Sequence, residues 1–287
     1  MHKLSESDLV INPDGSIYHL NLLPEDVAQT VITVGDPDRV SEISRLFDRV
    51  ELKKGKREFI THTGYLGDKR ITVLSTGIGT DNIDIVFNEL DALVNIDFKT
   101  REIKSELTAL DIIRIGTSGA IQPDIDMGTI LVSSHGLGLD TLMKYYKQRL
   151  SPEDQNILEA VNHHFADLPG IDPYFTSGSK KLLETIGKGL QRGITVTAPG
   201  FYAPQGRVVR AEGKVPDLIG KLNSFKYDGL RITNLEMETA GIYALASVLG
   251  HNALSVNAIL ASRVKFEFSN DPHAIVNKAI ELVLERL

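Results

Sequence analysis

An arginine interrupts one of the most apolar stretches of the chain. Arg114 lies within DIIRIGTSGA and is followed by a Gly-x-x-Gly turn that contains Thr117. A buried arginine is costly unless an anion pairs with it. Phosphate is a suitable partner, because the guanidinium fork matches two phosphate oxygens and a threonine hydroxyl adds a donor. The sequence therefore predicts an oxyanion site here, with pairing to a structural carboxylate as the alternative.

A second turn that could hold an anion follows the apolar run VITV. Gly35 ends that run, and Asp36-Pro37 is typical of a helix cap followed by a first-turn proline. Arg39 could reach back over the glycine to an anion at the helix start. The alternative is a plain helix cap with a solvated arginine, and the neighbouring aspartates count slightly against an anion.

A third segment, FYAPQGR, combines an aromatic ring with an amide and a guanidinium. Phe201 could support a planar base, while Gln205 and Arg207 could pair with its edge. Uracil presents two carbonyl acceptors and one N–H donor, which this amide and guanidinium can satisfy. A surface loop with unrelated polar residues is the alternative.

A fourth segment, NLEMETAG, has two carboxylates on either side of a methionine. Glu236 and Glu238 could accept hydrogen bonds from the two hydroxyls of a ribose, and Met237 could pack beneath the sugar. Acidic residues in the first turn of a helix, which the helix dipole favours, are the alternative.

Alternating strand and helix patterns must position these residues. Glycine-bounded, β-branched runs predict buried strands at VITVGD, RITVLSTG, DIIRIGTSG, TILVSSHG, GITVT and ALSVNAIL. Helical patterns cover 37–47, 80–95, 152–166, 180–190, 238–250 and 272–286. An antiparallel hairpin is expected to turn at Gly67-Asp68, so we predict an α/β fold with a mixed sheet. We find no linker or repeat and predict one domain over 1–287, with the least readable pattern in 136–180.

Composition excludes several classes of function. The 287 residues contain no cysteine, which rules out disulfides, thiolate metal sites and a cysteine nucleophile. The net charge of −7 argues against a nucleic-acid partner. We find neither a run long and apolar enough for a membrane span nor the residue order of a secretory signal, and we expect a soluble, cytoplasmic protein.

Taken together, these segments resemble the nucleoside phosphorylase I family, and within it the uridine phosphorylases. The resemblance runs through IYHLNL, VGDPDRV, KREF, STGIG, IRIGTSGAIQP, FYAPQGR, NLEMETAGIYALA and ILASR. It implies a three-layer αβα sandwich with a central mixed sheet, as in the phosphorylase/hydrolase fold. It also implies phosphorolysis of uridine to uracil and ribose 1-phosphate in pyrimidine salvage.

The resemblance assigns a role to each matched position. Phosphate would be held by Gly35, Arg39, Arg57, Arg114 and Thr117; uracil by Phe201, Gln205, Arg207 and Arg263; ribose by His19, Glu236, Met237 and Glu238. Arg207, Gln205 and Arg114 would be the catalytic groups. His19 and Arg57 would come from a neighbouring subunit, so a dimer would be the smallest active homo-oligomer and a hexamer is an alternative.

Uracil is favoured over purines at two places. Purine-specific relatives carry an acidic residue near ILASR, where this sequence has Arg263, and the Gln-x-Arg pair is the pyrimidine pattern. The alternatives are a purine nucleoside phosphorylase or nucleosidase on the same fold, or a nucleoside-binding protein without turnover. No cofactor is expected, since phosphate is a co-substrate. The interfacial potassium of some relatives would find only Glu58 and Ile78 here, because Thr80-Asp81-Asn82 replaces their glycine-proline-serine run.

Overall fold

The computed structural model describes residues 3–287, so the first two residues of the predicted domain lie outside it. Two compact units divide the described chain: a first unit of residues 3–113 with 249–251, and a second unit of residues 114–248 with 252–287. The single domain expected over 1–287 stays a prediction. No helix within residues 3–287 is long and apolar enough to cross a membrane.

The first unit is built on four paired strands. Its elements are β1 (Thr30–Val34), α1 (Pro37–Ser44), β2 (Arg49–Lys56), β3 (Phe59–Leu66), β4 (Lys69–Ser75), α2 (Thr80–Asn95), β5 (Ile96–Asp97) and β6 (Glu102–Ile103). β1 pairs in parallel with β4, whereas β3 pairs antiparallel with both β4 and β2. The sheet of this unit is therefore mixed.

Local sequence accounts for most of these elements. Every residue of β1 is buried, as its β-branched composition predicts. The Asp36 carboxylate accepts the N–H of Asp38 at 3.0 Å, which confirms the predicted cap of α1. The hairpin between β3 and β4 turns at Gly67, where φ is +56°. β2 was not predicted, because its lysine-rich sequence alternates between exposed and partly buried positions without an apolar face.

The second unit contains the larger set of strands. Its elements are β7 (Asp111–Ala120, whose first three residues belong to the first unit), β8 (Ile130–Gly138), α3 (Pro152–His164), β9 (Tyr174–Ser177), α4 (Lys180–Glu184), β10 (Gln191–Thr197), α5 (Leu218–Ser224), β11 (Lys226–Tyr227), β12 (Leu230–Glu236), α6 (Thr239–Leu249, whose last residue belongs to the first unit), β13 (Asn252–Ser262), β14 (Glu267–Phe268) and α7 (Pro272–Leu284). β10 lies in parallel between β8 and β12, while β13 runs antiparallel to β8. The predicted α/β class with a mixed sheet is confirmed.

The interior of the second unit explains why its helices pack on the strands. One buried cluster joins α3 and α5 to strands β8, β9, β10 and β12 through Leu137, Ile157, Val161, Phe165, Phe175, Ile194, Val196, Leu218, Leu222, Ile232 and Leu235. Burying such side chains contributes about 1.5–3 kcal/mol each. The region 136–180, which had the least readable sequence pattern, contains all of α3 and β9 and the last residues of β8. Helix α5 was not predicted from the sequence.

Candidate active site

The carboxyl ends of three parallel strands meet at one edge of the second unit. Thr197, the last residue of β10, is in register with Glu236 at the end of β12 and with Gly138 at the end of β8. In α/β sheets this edge is where ligands bind. Two of the four segments singled out from the sequence contribute side chains to this region of the second unit: the one with Arg114 and the one with Glu236 and Glu238.

The guanidinium of Arg114 is buried and paired with two carboxylates. Its Nη2 lies 2.6 Å from Oε2 of Glu238 and 2.9 Å from Oε2 of Glu236. Burial disfavours the charged guanidinium, but the two carboxylates outweigh this effect and raise the pKa of Arg114 above its ordinary value. The structure thus contains the pairing that the sequence left open as the alternative, an arginine with carboxylate partners.

A glycine makes room for this guanidinium. A Cβ at Gly116 would lie 1.7 Å from Nη1 and 2.1 Å from Cζ of Arg114. Nη1 also donates to Ser255 Oγ and Asn257 Oδ1, both at 3.3 Å. Sequence reasoning missed these two β13 residues, although polar side chains at alternate positions of a buried strand are a signal that they share a partner.

The carboxylate of Glu236 is occupied by protein donors. It accepts hydrogen bonds from Thr197 Oγ1 and the backbone N–H groups of Glu238 and Thr239 at 2.7–3.0 Å, and it forms an ion pair with Arg114 Nη2 at 2.9 Å. The two backbone N–H groups belong to the start of α6, so this carboxylate acts as a helix cap. Glu236 therefore links the Arg114 guanidinium, the end of β10 and the start of α6.

The remaining predicted residues of these two segments, Met237, Glu238 and Thr117, differ in exposure. Glu238 is buried against Arg114, whereas Met237 is partly exposed. Thr117 is partly exposed on β7. The structure thus brings Arg114, Glu236 and Glu238 into one cluster.

The base loop, residues 201–207, brings its three predicted residues into contact. Arg207 Nη1 donates to Gln205 Oε1 at 2.5 Å and to the Phe201 carbonyl at 2.8 Å. Gln205 is buried, and the left-handed Gly206 that follows it closes the turn. With Oε1 facing Arg207, the amide NH₂ of Gln205 is its remaining hydrogen-bonding group.

Arg207 also covers the aromatic platform of this loop. Its Cζ lies 3.8 Å from the centroid of the Phe201 ring, a cation–π contact. Sequence reasoning expected a planar base to pack on Phe201. A base that uses this face of the ring must take the place of the guanidinium, whereas the exposed remainder of Phe201 is open to contact.

A second arginine stands near Arg207. Partial burial, together with the positive charge of Arg263, lowers the pKa of Arg207 to about 10. Burial also lowers the pKa of Arg263, whose Nη1 is buried without a hydrogen-bond partner among residues 3–287. The backbone N–H of Arg263 donates to Ala120 O at 2.8 Å, which fixes the residue at the end of β7. Two guanidinium groups therefore share one region of the second unit.

In the first unit, Gly35 and Arg39 belong to the same turn. Gly35 joins β1 to α1, and a Cβ there would lie 3.4 Å from Gly77 O. Arg39 is partly buried in the first turn of α1, and its N–H donates to Asp36 O at 3.2 Å. The predicted strand-glycine-helix arrangement is present.

His19 is held by a residue that sequence reasoning missed. Glu89 on α2 lies 2.7 Å from His19 Nδ1 and accepts the backbone N–H groups of His19 and Leu20 at 2.8–3.1 Å. Since a carboxylate only accepts, the contact places the imidazole proton on Nδ1 and leaves Nε2 as the acceptor of the neutral ring. Nothing in the sequence around Glu89 indicates this role.

The turn that carries Arg57 lies beside the His19 turn. Arg57 is exposed between β2 and β3 with φ of +58°. The neighbouring Lys56 donates from Nζ to Tyr18 O at 2.6 Å and lies 4.3 Å over the Tyr18 ring. The two residues expected to serve another subunit therefore come from adjoining parts of one surface.

The ligands considered for potassium are also at the surface of the first unit. Ile78 is exposed and Glu58 is partly exposed. Among residues 3–287, no group of three or more histidine, aspartate or glutamate side chains is arranged to hold a metal ion.

Comparisons with known proteins agree on one family. The family model described as "Phosphorylase superfamily" matches residues 29–287. A uridine phosphorylase from Thermococcus kodakarensis is 33% identical over 95% of this chain and 88% of its own length. Another from Haemophilus influenzae is 29% identical over 89% of this chain and 90% of its own length. Purine nucleoside phosphorylases of the DeoD type also match, at 27–28% identity.

A solved structure extends the similarity to the fold. The crystal structure of a Trypanosoma brucei nucleoside phosphorylase, described as showing uridine phosphorylase activity, superposes with a TM-score of 0.88. It is 30% identical and the match covers 98% of this chain and 99% of that chain.

Proposed function

This chain belongs to the phosphorylase superfamily, and from that premise we propose that it cleaves uridine with inorganic phosphate, yielding uracil and ribose 1-phosphate. Family membership confirms the resemblance found in the sequence motifs. The observation that carries the choice of uridine is the base loop, in which Arg207 contacts both Phe201 and Gln205. Phosphate is a co-substrate, and the reaction needs no organic cofactor.

The contacts of Arg207 suggest how a pyrimidine would enter. The guanidinium lies on Phe201 and donates to Gln205 Oε1, as a uracil ring could do through its N3–H. When uracil displaces the arginine, the hydrogen bond from Arg207 to Gln205 Oε1 is therefore replaced by one from uracil N3–H. The released guanidinium is then available to a carbonyl oxygen of the base.

Charge development at the base makes this arginine a catalytic group. If the bond from C1′ to uracil breaks ahead of phosphate attack, negative charge accumulates on the uracil carbonyls. A nearby guanidinium stabilises that charge more than the neutral substrate, which lowers the barrier. We propose that Arg207 does this with Gln205, and that Arg263 adds positive charge behind them. No protein nucleophile is required.

The cluster around Arg114 suits the sugar. Two carboxylates and one guanidinium leave it with an excess negative charge, which complements a ribosyl group that becomes cationic at the transition state. We propose that Glu238 and Met237 bind ribose and that Glu236 holds them in place. Because Arg114 already has carboxylate partners, we expect Arg39 and Arg57 to supply most of the charge for phosphate, with Gly35, Thr117 and Arg114 as further donors.

Purine phosphorolysis is the second candidate, because purine nucleoside phosphorylases are among the relatives. A purine leaving group is helped by protonation at N7, which needs an acid. Arg263 occupies the position where purine-specific relatives carry an acidic residue, and a guanidinium is a poor proton donor at neutral pH. This difference favours uracil.

We expect uracil release from uridine to stop in phosphate-free buffer and to resume, with one ribose 1-phosphate per uracil, when phosphate is added. Chromatography of the products with uridine, thymidine, inosine and adenosine as substrates would measure both the requirement and the base preference. Release that continues at the same rate without phosphate would identify a nucleosidase. Uridine binding without any product would identify a binding protein.

We also propose that each site takes His19 and Arg57 from a neighbouring subunit, so that the homo-oligomer is active as a dimer or a multiple of it. Coexpressing Arg57→Ala and Arg207→Ala chains should then restore activity, since a mixed dimer has one intact site. With random pairing, about a quarter of the wild-type rate is expected. If the mixture is no more active than the two variants alone, both residues serve their own chain. The cytoplasmic location stays a prediction.

A further inference from the structure

A cavity of about 520 Å³ lies beside the base loop in the second unit. Its polar side chains are those of Arg207, Arg263, Asp217 and Asn223, and apolar side chains cover much of the remainder: Val208, Val215, Leu218, Val264 and Phe266. Its size is within the range of small-molecule pockets, about 300–1,000 Å³. Phe201 and Gln205 are not part of its lining, whereas Arg207 and Arg263 are, so the cavity adjoins the proposed uracil site on the side of the two arginines.

The charges of this cavity are unbalanced. Within residues 3–287 neither Arg207 nor Arg263 pairs with a carboxylate, and Arg263 Nη1 is a buried donor without an acceptor. One carboxylate, that of Asp217, also lines the cavity, but it is exposed and accepts the N–H of Gly220 at 3.2 Å. Two guanidinium groups against one aspartate leave one positive charge in excess.

Neutral uracil does not balance this excess. Its carbonyl oxygens can accept hydrogen bonds, but they bring no negative charge before the glycosidic bond breaks. A partly buried arginine with an unused donor is stabilised most by an ionised acceptor. A carboxylate is such an acceptor, and a planar ring that carries it would suit the apolar walls.

We propose that the base site continues into this cavity and binds pyrimidines that bear a carboxylate, with Arg263 as the group that selects the acidic substituent. The inference rests on the proposed function, because it assumes that a uracil ring lies at Gln205 and Arg207. Those two side chains pair with the edge of the ring formed by O2, N3 and O4. C5 is next to this edge, whereas C6 is next to the sugar, so the carboxylate belongs on C5.

Calorimetric titration of the full-length protein with 5-carboxyuracil and 5-methyluracil tests the proposal. The two probes differ in charge at the same ring position. We expect 5-carboxyuracil to bind at least about tenfold more tightly, as a charge-assisted hydrogen bond would provide. In Arg263→Met, which keeps an unbranched side chain, the ratio of the two dissociation constants should fall to about one. 6-Carboxyuracil, with its carboxylate beside N1, should not show the preference.

Comparing the ratio within each protein removes any general effect of Arg263→Met on uracil binding. The proposal is overturned if wild-type protein binds 5-carboxyuracil no more tightly than 5-methyluracil, or if the preference survives in Arg263→Met. Uridine phosphorolysis is measured on the same preparations. Turnover without a carboxylate preference would refute this inference alone, whereas a carboxylate preference without turnover would refute only the proposed activity.

Discussion

Replacing Arg207 with alanine should lower the kcat for uridine phosphorolysis by on the order of 10²–10³, the usual loss when one donor to a developing negative charge is removed. The guanidinium is the charged group in contact with both Phe201 and Gln205. Its loss should leave folding intact, because its contacts are local to a partly exposed loop. Steady-state kinetics with saturating phosphate, together with urea unfolding, would separate the two effects.

Arg210→Ala is the matched control for this variant. Arg210 lies three residues further along the same segment and is exposed. It should keep wild-type turnover, since it has no proposed contact with substrate. Near-normal uridine turnover in Arg207→Ala would show that the base is stabilised by other groups.

Adding one methyl group at Gly116 should both destabilise the protein and abolish most of its activity. The new carbon would lie within 1.7 Å of Arg114 Nη1, so the guanidinium must leave its place between Glu236 and Glu238. Separating the partners of a buried ion pair typically costs about 3–5 kcal/mol. Urea unfolding of Gly116→Ala should show a loss of this size, and turnover should fall because the carboxylates of Glu236 and Glu238 lose the guanidinium that positions them.

Gly213→Ala controls for the effect of the methyl group itself. A Cβ at Gly213 would meet no atom within 4 Å, and this glycine is exposed. The unfolding free energy of Gly213→Ala should stay within about 0.5 kcal/mol of the wild-type value. Its turnover should equal that of the wild type within the error of the assay. Wild-type stability in Gly116→Ala would mean that Arg114 can adopt another arrangement without loss.

Elements specified by short stretches of sequence were predicted correctly. The β-branched run of β1 forms a buried strand, and Asp271 caps α7 through the N–H of Ala274, as Asp271-Pro272 predicts. Two other elements were predicted less well. The helix expected over 180–190 ends at Glu184, and strand β2 was not predicted at all. Strand β2 exists because β3 pairs with it, which is a contact that its own polar sequence does not reveal.

The base loop illustrates an intermediate case. Because Phe201, Gln205 and Arg207 lie within seven residues, the sequence predicted that they act together, and the structure places them in contact. It did not predict that Arg207 would lie on the Phe201 ring. Side-chain directions in a loop depend on the turn at Gly206, which sequence spacing alone does not define.

By itself, the sequence determined the fold class, the family and the residue types of the candidate site, because motifs and periodicity are local properties of the chain. Only the tertiary structure decided which charges meet. Arg114 and Glu238 are 124 positions apart, and Arg114 and Asn257 are 143 positions apart. A buried arginine requires a partner for its charge, but the identity of that partner follows from which strands pair and in what register.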